Sequence, residues 1–170
     1  MKHFLEVDDL TPAELAHVLE LAKLSPAPPV MTGRSMSLIF EKPSNRTRNS
    51  SEVAVFQLGG HPLSIRGEEV GFDERESVED ITRTLGQYHA AIGARVFDHT
   101  VLERMAAVSP VPIINLLSDV AHPCQGLADL LTMQQHFGYL AGLKLAWVGD
   151  GNNVCRSLIL ASSLTGIDVA

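Results

Sequence analysis

The sequence predicts an α/β protein: a parallel sheet with helices on both faces, followed by the first strand and helix of a second unit. Three observations carry that prediction. Apolar runs of strand length alternate with segments of helical periodicity along the chain, the pattern of parallel strands joined by helical crossovers. Polar and cationic residues gather just after the predicted strands, at the carboxyl ends where such sheets bind ligands. The last stretch, Gly142 to Ala170, is a lone strand–helix–strand start that cannot bury its own faces. It either extends the first sheet or opens a further domain, and the second arrangement is the one expected.

The elements follow in order. Thr11-Pro12-Ala13-Glu14 reads as a helix start, with Thr as N-cap, Pro in the first turn and Glu three residues on. Leu15, Val18, Leu19 and Ala22 then form one apolar stripe. Ser25-Pro26-Ala27-Pro28-Pro29 ends the helix. Met36 to Phe40 is a strand, and a polar, basic segment from Glu41 to Asn49 follows as a connection. Glu52 to Leu58 is helical, closed by Gly59-Gly60, and Pro62 to Ile65 is a second strand. Residues 66–76 form a charged loop. Ser77 to Tyr88 is a helix with Val78, Ile81, Leu85 and Tyr88 on one face. Ala91–Phe97 is a strand, Asp98–Ala107 a helix, Val111–Leu116 a strand, and Pro123–Phe137 a helix stopped by Gly138. Leu143–Val148 is a strand, Asn153–Leu164 a helix with Gly166 behind it, and Ile167–Ala170 begins another strand.

Composition excludes several classes of function. The 170 residues carry 13 basic and 20 acidic side chains, a formal net charge of −7. That balance argues against a general nucleic-acid or anionic-membrane surface, but not against one local basic pocket. No apolar run approaches the ~20 residues of a membrane span. The opening MKHFLEVDDL has neither the apolar centre of a signal peptide nor the acid-poor character of a transit peptide. Cys124 and Cys155 are too few for a disulfide framework, so a reducing cytoplasm is the expected compartment. The seven histidines are scattered, and no Cys or His pair has zinc-ligand spacing, so no metal is expected. Gly149-Asp150-Gly151-Asn152-Asn153 has Val154 where a dinucleotide fingerprint needs its third glycine. No cofactor is expected.

Four places carry candidate chemistry. Ser44-Asn45-Arg46-Thr47-Arg48 lies between a strand and a helix. A helix N-terminus with hydroxyl donors and arginine forks suits a phosphate; the competing reading is a cap with two solvated arginines. Arg95 interrupts an apolar strand and needs an anionic partner, either an acid of the chain or a ligand. His122-Pro123-Cys124-Gln125 opens a helix. Either it is only a cap, or proline fixes the turn so that His122 and Gln125 share a site, one donating to a carbonyl oxygen and the other orienting a planar amide. Asn153, at a helix start, can donate to a carboxylate.

Taken together, these segments resemble the aspartate/ornithine carbamoyltransferase family and, within it, the ornithine branch. The resemblance covers essentially the whole chain and rests on Phe40-Glu41-Lys42-Pro43-Ser44-Asn45-Arg46-Thr47-Arg48, Leu58-Gly59-Gly60, Glu76-Ser77 with Asp80, and Ala91-Ile92 with Arg95. It continues through Ile114-Asn115, His122-Pro123-Cys124-Gln125 and Gly149-Asp150-Gly151-Asn152-Asn153. The resemblance implies a carbamoyl phosphate-binding domain at residues 1–138 and the start of a Rossmann-like, ornithine-binding domain at 139–170. It implies that Ser44, Asn45, Arg46 and Thr47 bind the phosphate of carbamoyl phosphate, and that Arg95 bridges phosphate and carbonyl oxygen. His122, with Thr47 and Arg95, would polarise the carbonyl, Gln125 would hold the carbamoyl amide, and Asn153 would hold the amino acid. Arg46, Thr47, Arg95 and His122 are thus the implied catalytic groups, and Arg48 an ion-pair member.

The implied reaction is attack of the δ-amine of L-ornithine on carbamoyl phosphate to give L-citrulline and phosphate, without metal or cofactor, in a cytoplasmic homotrimer of arginine biosynthesis. Two residues depart from the family pattern. Asn45 replaces a usual threonine, and Glu68 stands near where a glutamine usually reaches a neighbouring subunit's phosphate. A carboxylate there repels a dianion, so the loop is re-registered, Arg66 or Arg75 substitutes, or the contact is lost. The family's later ornithine-binding segments lie outside these 170 residues, so the chain alone is expected to be incomplete for catalysis. A different class of function, a non-catalytic anion-binding module, remains the rival, and putrescine, an acylated ornithine and lysine are the rival acceptors.

Overall fold

The computed structural model describes residues 2–170. Four parallel strands form the main sheet: β1 (Ser35–Phe40), β2 (His61–Arg66), β3 (Ala91–Arg95) and β4 (Ile113–Leu117), in the order β2-β1-β3-β4. Helices α1 (Pro12–Leu21), α2 (Arg46–Gln57), α3 (Gly67–Val70), α4 (Val78–Tyr88), α5 (His99–Val108) and α6 (Pro123–Phe137) surround it. Two-residue strands β5 (Lys144–Leu145) and β6 (Asp168–Val169) pair in a separate sheet, joined by α7 (Asn153–Thr165). This is the predicted α/β architecture, with a parallel sheet and helices on both sides. Among the described residues no helix is long and apolar enough to cross a membrane.

Local chemistry explains the boundaries. Thr11 accepts from the Glu14 N–H while the Glu14 carboxylate accepts from the Thr11 N–H, a reciprocal cap with Pro12 behind it. Leu15 and Leu19 are buried as the stripe requires, whereas Ala22 is exposed. Helix α6 runs from Pro123 to Phe137 as expected and ends where Gly138 adopts a left-handed φ of 83°. Asp98 and Ser77 cap α5 and α4 with their side chains. Tyr88, placed on the buried face by periodicity, ends α4 and is exposed; Val78, Ile81 and Thr82 carry the burial.

Three expected spans change. Helix α2 starts at Arg46, six residues before the predicted Glu52, so the basic segment is its first turn rather than a connection. Of its residues only Val55 is buried, so there was no apolar stripe for periodicity to detect. The charged stretch 66–76 contains the single-turn α3, closed by Gly71 at a φ of 61°. The strand expected at 143–148 shrinks to Lys144–Leu145, because β6 offers only Asp168 and Val169 as full partners; the flanking bonds run from the Asp168 N–H to the Leu143 carbonyl, from the Ala170 N–H to the Leu145 carbonyl and from the Trp147 N–H to the Ala170 carbonyl.

The core lies in clusters on either side of the sheet. Ile39, Ile92, Val96 and Ile113 pack with Leu102 and Met105 of α5 and Val78 of α4 on one face; Met36, Leu38, Phe40 and Leu116 pack with Val55 of α2 on the other. A further cluster joins Val7, Leu15, Leu19, Leu130, Ala161 and Ile167, drawing α1, α6 and α7 together on both sides of position 138. The segment before α1 belongs to the sheet: Phe4 pairs with Ile114 along the free edge of β4. Helix α4 meets the 110–111 turn closely. A Cβ on Gly86 would lie 2.5 Å from Cγ of the Pro110 ring, which cannot rotate away. Gly86→Ala is therefore expected to destabilise by about 1–3 kcal/mol through overpacking, less up to about 1 kcal/mol regained from helix propensity. Thermal melts measure the balance, and a raised Tm would refute it.

Candidate functional site

The site forms where β1, β3 and β4 end. After Phe40 the chain is held against β3: the Glu41 N–H donates to the Arg95 carbonyl at 2.9 Å, and the Phe97 N–H donates to the Glu41 carboxylate at 2.8 Å. Lys42 Nζ sits 4.4 Å from the centre of the Phe97 ring. These ties fix the turn that delivers Pro43 to Thr47 to the mouth of the sheet. Asn45 has helical torsions and gives no side-chain cap to α2, although its carbonyl and side-chain oxygens accept from Asn49. The first turn of α2 thus keeps its N–H groups turned outward. Arg46 is exposed, with no carboxylate partner among the described residues. Arg48 lies 3.7 Å from Glu52 and over the Phe40 ring, as an ion-pair member.

Arg95 ends β3 at an irregularity. Ala94 pairs with Asn115 but Arg95 pairs with Leu117, so Leu116 is skipped. Such a bulge re-aims the side chain at a strand end. The Arg95 guanidinium donates from Nη1 to Thr47 Oγ1 at 3.3 Å, while its Nε is buried without a partner. No carboxylate among the described residues pairs with it, so the ion-pair explanation of its presence in an apolar strand fails. Burial lowers its pKa; an arginine remains cationic all the same.

His122 is the residue before α6, with φ −136° and ψ 65° and no side-chain cap. Its Nδ1 is buried without a partner. Burial first, and the Arg95 cation second, pull its pKa down to about 4, so at neutral pH the ring is uncharged and offers one N–H donor. Cys124 behind it has its thiol pushed up to about 11 by burial, which makes it unreactive.

Ser44, Asn45, Arg46, Thr47, Arg95, His122 and Gln125 line one open cleft of about 700 Å³, with Ser50, Ser51 and Asp129. Two arginines against one acid leave that wall net positive. The Gln125 amide donates to Asp129 at 2.8 Å. Asn153 does not line the cleft; its amide donates to the Ser118 carbonyl at 2.6 Å, and Asn152, not Asn153, caps α7. The serines at 50 and 51 were missed by the sequence reading, although they follow Thr47 by about one helical turn. Among the described residues no cluster of His, Cys, Asp or Glu could hold a metal. A second cleft of about 450 Å³ shares Pro43 and Ser44 and contains Arg48, Arg66 and Glu68. There Arg66 and Glu68 pair at 3.5 Å, both exposed, and Arg75 donates to the Glu69 carbonyl.

The chain is similar to known proteins along nearly its whole length. The family model for the aspartate/ornithine carbamoyltransferase carbamoyl-P binding domain matches residues 2–135. An ornithine carbamoyltransferase of Methanocaldococcus jannaschii is 45% identical over 171 residues, covering 98% of this chain and 56% of that protein. The solved ornithine carbamoyltransferase from Pyrococcus furiosus superposes with a TM-score of 0.95 at 41% identity, covering 99% of this chain and 56% of the other. The one from Thermus thermophilus gives 0.94 at 44% identity, over 99% and 60%. The chain thus spans little more than half the length of the relatives it matches.

Proposed function

Since the chain belongs to the aspartate/ornithine carbamoyltransferase family, we propose that it forms the carbamoyl phosphate half of an enzyme that carbamoylates the δ-amine of L-ornithine, giving L-citrulline and phosphate. The observation that carries this reading is the single cleft lined by Arg46, Thr47, Arg95, His122 and Gln125. In this reading residues 1–138 bind carbamoyl phosphate and 139–170 open the amino-acid domain; the separate β5–β6 sheet supports that division. The protein then works as a cytoplasmic homotrimer in arginine biosynthesis, as its resemblance to the ornithine branch implies.

The chemistry follows from the cleft. Ser44, Asn45, Arg46 and Thr47, at the N-terminus of α2, take the phosphate through hydroxyl, amide, guanidinium and backbone N–H donors. Arg95, beside Thr47, reaches both a phosphate oxygen and the carbamoyl oxygen. His122, uncharged, donates to that same carbonyl. Gln125 turns from Asp129 to the carbamoyl amide. As the amine attacks, the new C–N bond forms and negative charge gathers on the carbonyl oxygen; the C–O bond to phosphate then breaks, and the amine's proton leaves with the departing phosphate. Donors already in place for that charge lower the barrier without a metal. Asn153 binds the amino acid after its amide leaves the Ser118 carbonyl.

Citrulline formation by the full-length protein from carbamoyl phosphate and ornithine tests the proposal, with putrescine, N-acetylornithine and lysine as parallel acceptors. Turnover with ornithine at least about tenfold above the others is expected. Retained carbamoyl phosphate binding with no turnover on any acceptor would make the protein a non-catalytic anion-binding module instead.

A further inference from the structure

The His122 turn is gripped from behind. His122 precedes α6, so its N–H has no intrahelical acceptor; it donates instead to Ser157 Oγ at 2.9 Å, on α7. Ser157 is fully buried, and its single hydroxyl proton goes to the Glu6 carboxylate, 2.9 Å from one oxygen and 3.2 Å from the other. Glu6 is itself only 7% exposed and accepts from the Val7 N–H, with Arg156 Nε 3.5 Å away. With its proton committed to Glu6, the Ser157 oxygen has only lone pairs to offer toward His122. One turn earlier on α7, Asn153 donates to Ser118. Two side chains four apart on one helix face thus hold the two ends of the segment from Ser118 to His122. Within the loop, Ser118 and Ala121 bond to each other.

We propose that Ser157, anchored by Glu6, is a positioning residue that fixes His122 in the cleft. The inference rests on reading His122 as the group that polarises the carbamoyl carbonyl. Its ring makes no hydrogen bond through Nδ1, and the residue gives no side-chain cap. The ring's place therefore depends on its backbone, held by Pro123 on one side and Ser157 on the other. A displacement of about 1 Å at such a donor can cost about 10²-fold in rate. A purely structural role is the competing explanation, since α6 and α7 approach closely where Gly126 faces the Ser157 backbone.

Ser157→Ala in the full-length protein separates the two, and alanine in a helix interior is not expected to prevent folding. The readouts are the His122 ring titration by NMR and steady-state kinetics. Arg46, Arg95, Cys124 and Asp129 share the cleft with the ring and are untouched by the substitution; on the α7 side Glu6 loses the Ser157 hydroxyl but keeps the Val7 N–H and Arg156. Freed of its anchor, the ring gains water, and its pKa is expected to rise from about 4 toward the ordinary value near 6.5. The kcat is expected to fall about tenfold, with the KM for carbamoyl phosphate changed less than about threefold. Ser157→Thr, which keeps the hydroxyl, restores both. Glu6→Gln moves both in the same direction by less. An alanine variant with lowered Tm but unchanged titration and kcat would overturn the proposal, leaving Ser157 a packing residue. His122→Asn tests the underlying reading by itself: full kcat in that variant removes the reading, whatever Ser157 does.

Discussion

Replacing Arg46 with alanine is expected to weaken carbamoyl phosphate binding by about 10²-fold or more while leaving the melting temperature nearly unchanged. The guanidinium is exposed at the first turn of α2, lines the cleft, and has no ion-pair partner among the described residues. Its removal therefore strands no buried group, and a surface substitution of that kind moves stability by about 0.5 kcal/mol or less. A bidentate grip on a phosphate is two charge-assisted hydrogen bonds, each ~1.5–3 kcal/mol. Losing both corresponds to about 10²–10⁴ in affinity. Titration calorimetry with carbamoyl phosphate, paired with a thermal melt, reads both quantities. Unchanged affinity would mean that the α2 terminus is an ordinary solvated cap.

Arg95→Ala is expected to act on rate rather than on binding alone. If Arg95 meets charge that develops on the carbonyl oxygen, its loss costs about 10²–10³ in kcat. Arg95→Lys is expected to recover only part, because a point charge cannot replace a planar fork that donates to Thr47 and, in the proposed reading, to two ligand oxygens as well. The substitution also has a signature at its neighbour. The Arg95 cation is the second cause, after burial, of the low His122 pKa. Its removal is expected to raise the pKa of the ring, while Arg95→Lys leaves it nearer to about 4. A kcat within about threefold of the unaltered protein would remove Arg95 from the reaction.

These expectations draw on features of unequal visibility in the sequence. Helix α6 was legible to the residue, because proline at its start and glycine behind its end are themselves the structural causes. The reciprocal cap of Thr11 and Glu14 was legible for the same reason. The start of α2 was not: its first turns face solvent and the cleft, and periodicity reports only burial. The gathering of Arg46, Arg95 and His122 could be expected from the rule of strand carboxyl ends, whereas the skipped pairing at Leu116 that turns Arg95 could not. The support behind His122 left no trace at all. Ser157 is 35 residues from His122 and Glu6 is 151 from Ser157, so no local spacing joins them. Asn153 was visible as a polar residue at a helix start, but its bond to Ser118 depends on a loop that only the fold brings near.

The opening residues of the chain have a practical weight out of proportion to their number. The His3 ring accepts from the Ile113 N–H, the Phe4 N–H donates to the Ile113 carbonyl, and the Asn115 N–H donates to the Phe4 carbonyl. The Asn115 amide then reaches the Leu5 carbonyl across 110 positions. Residues 3–6 are thus a ribbon stitched to the sheet margin, with the Glu6 anchor as its final stitch. An affinity tag fused here, or a protease nick after Leu5, would loosen the β4 margin and the Glu6 anchor together, and through Ser157 the backbone of His122.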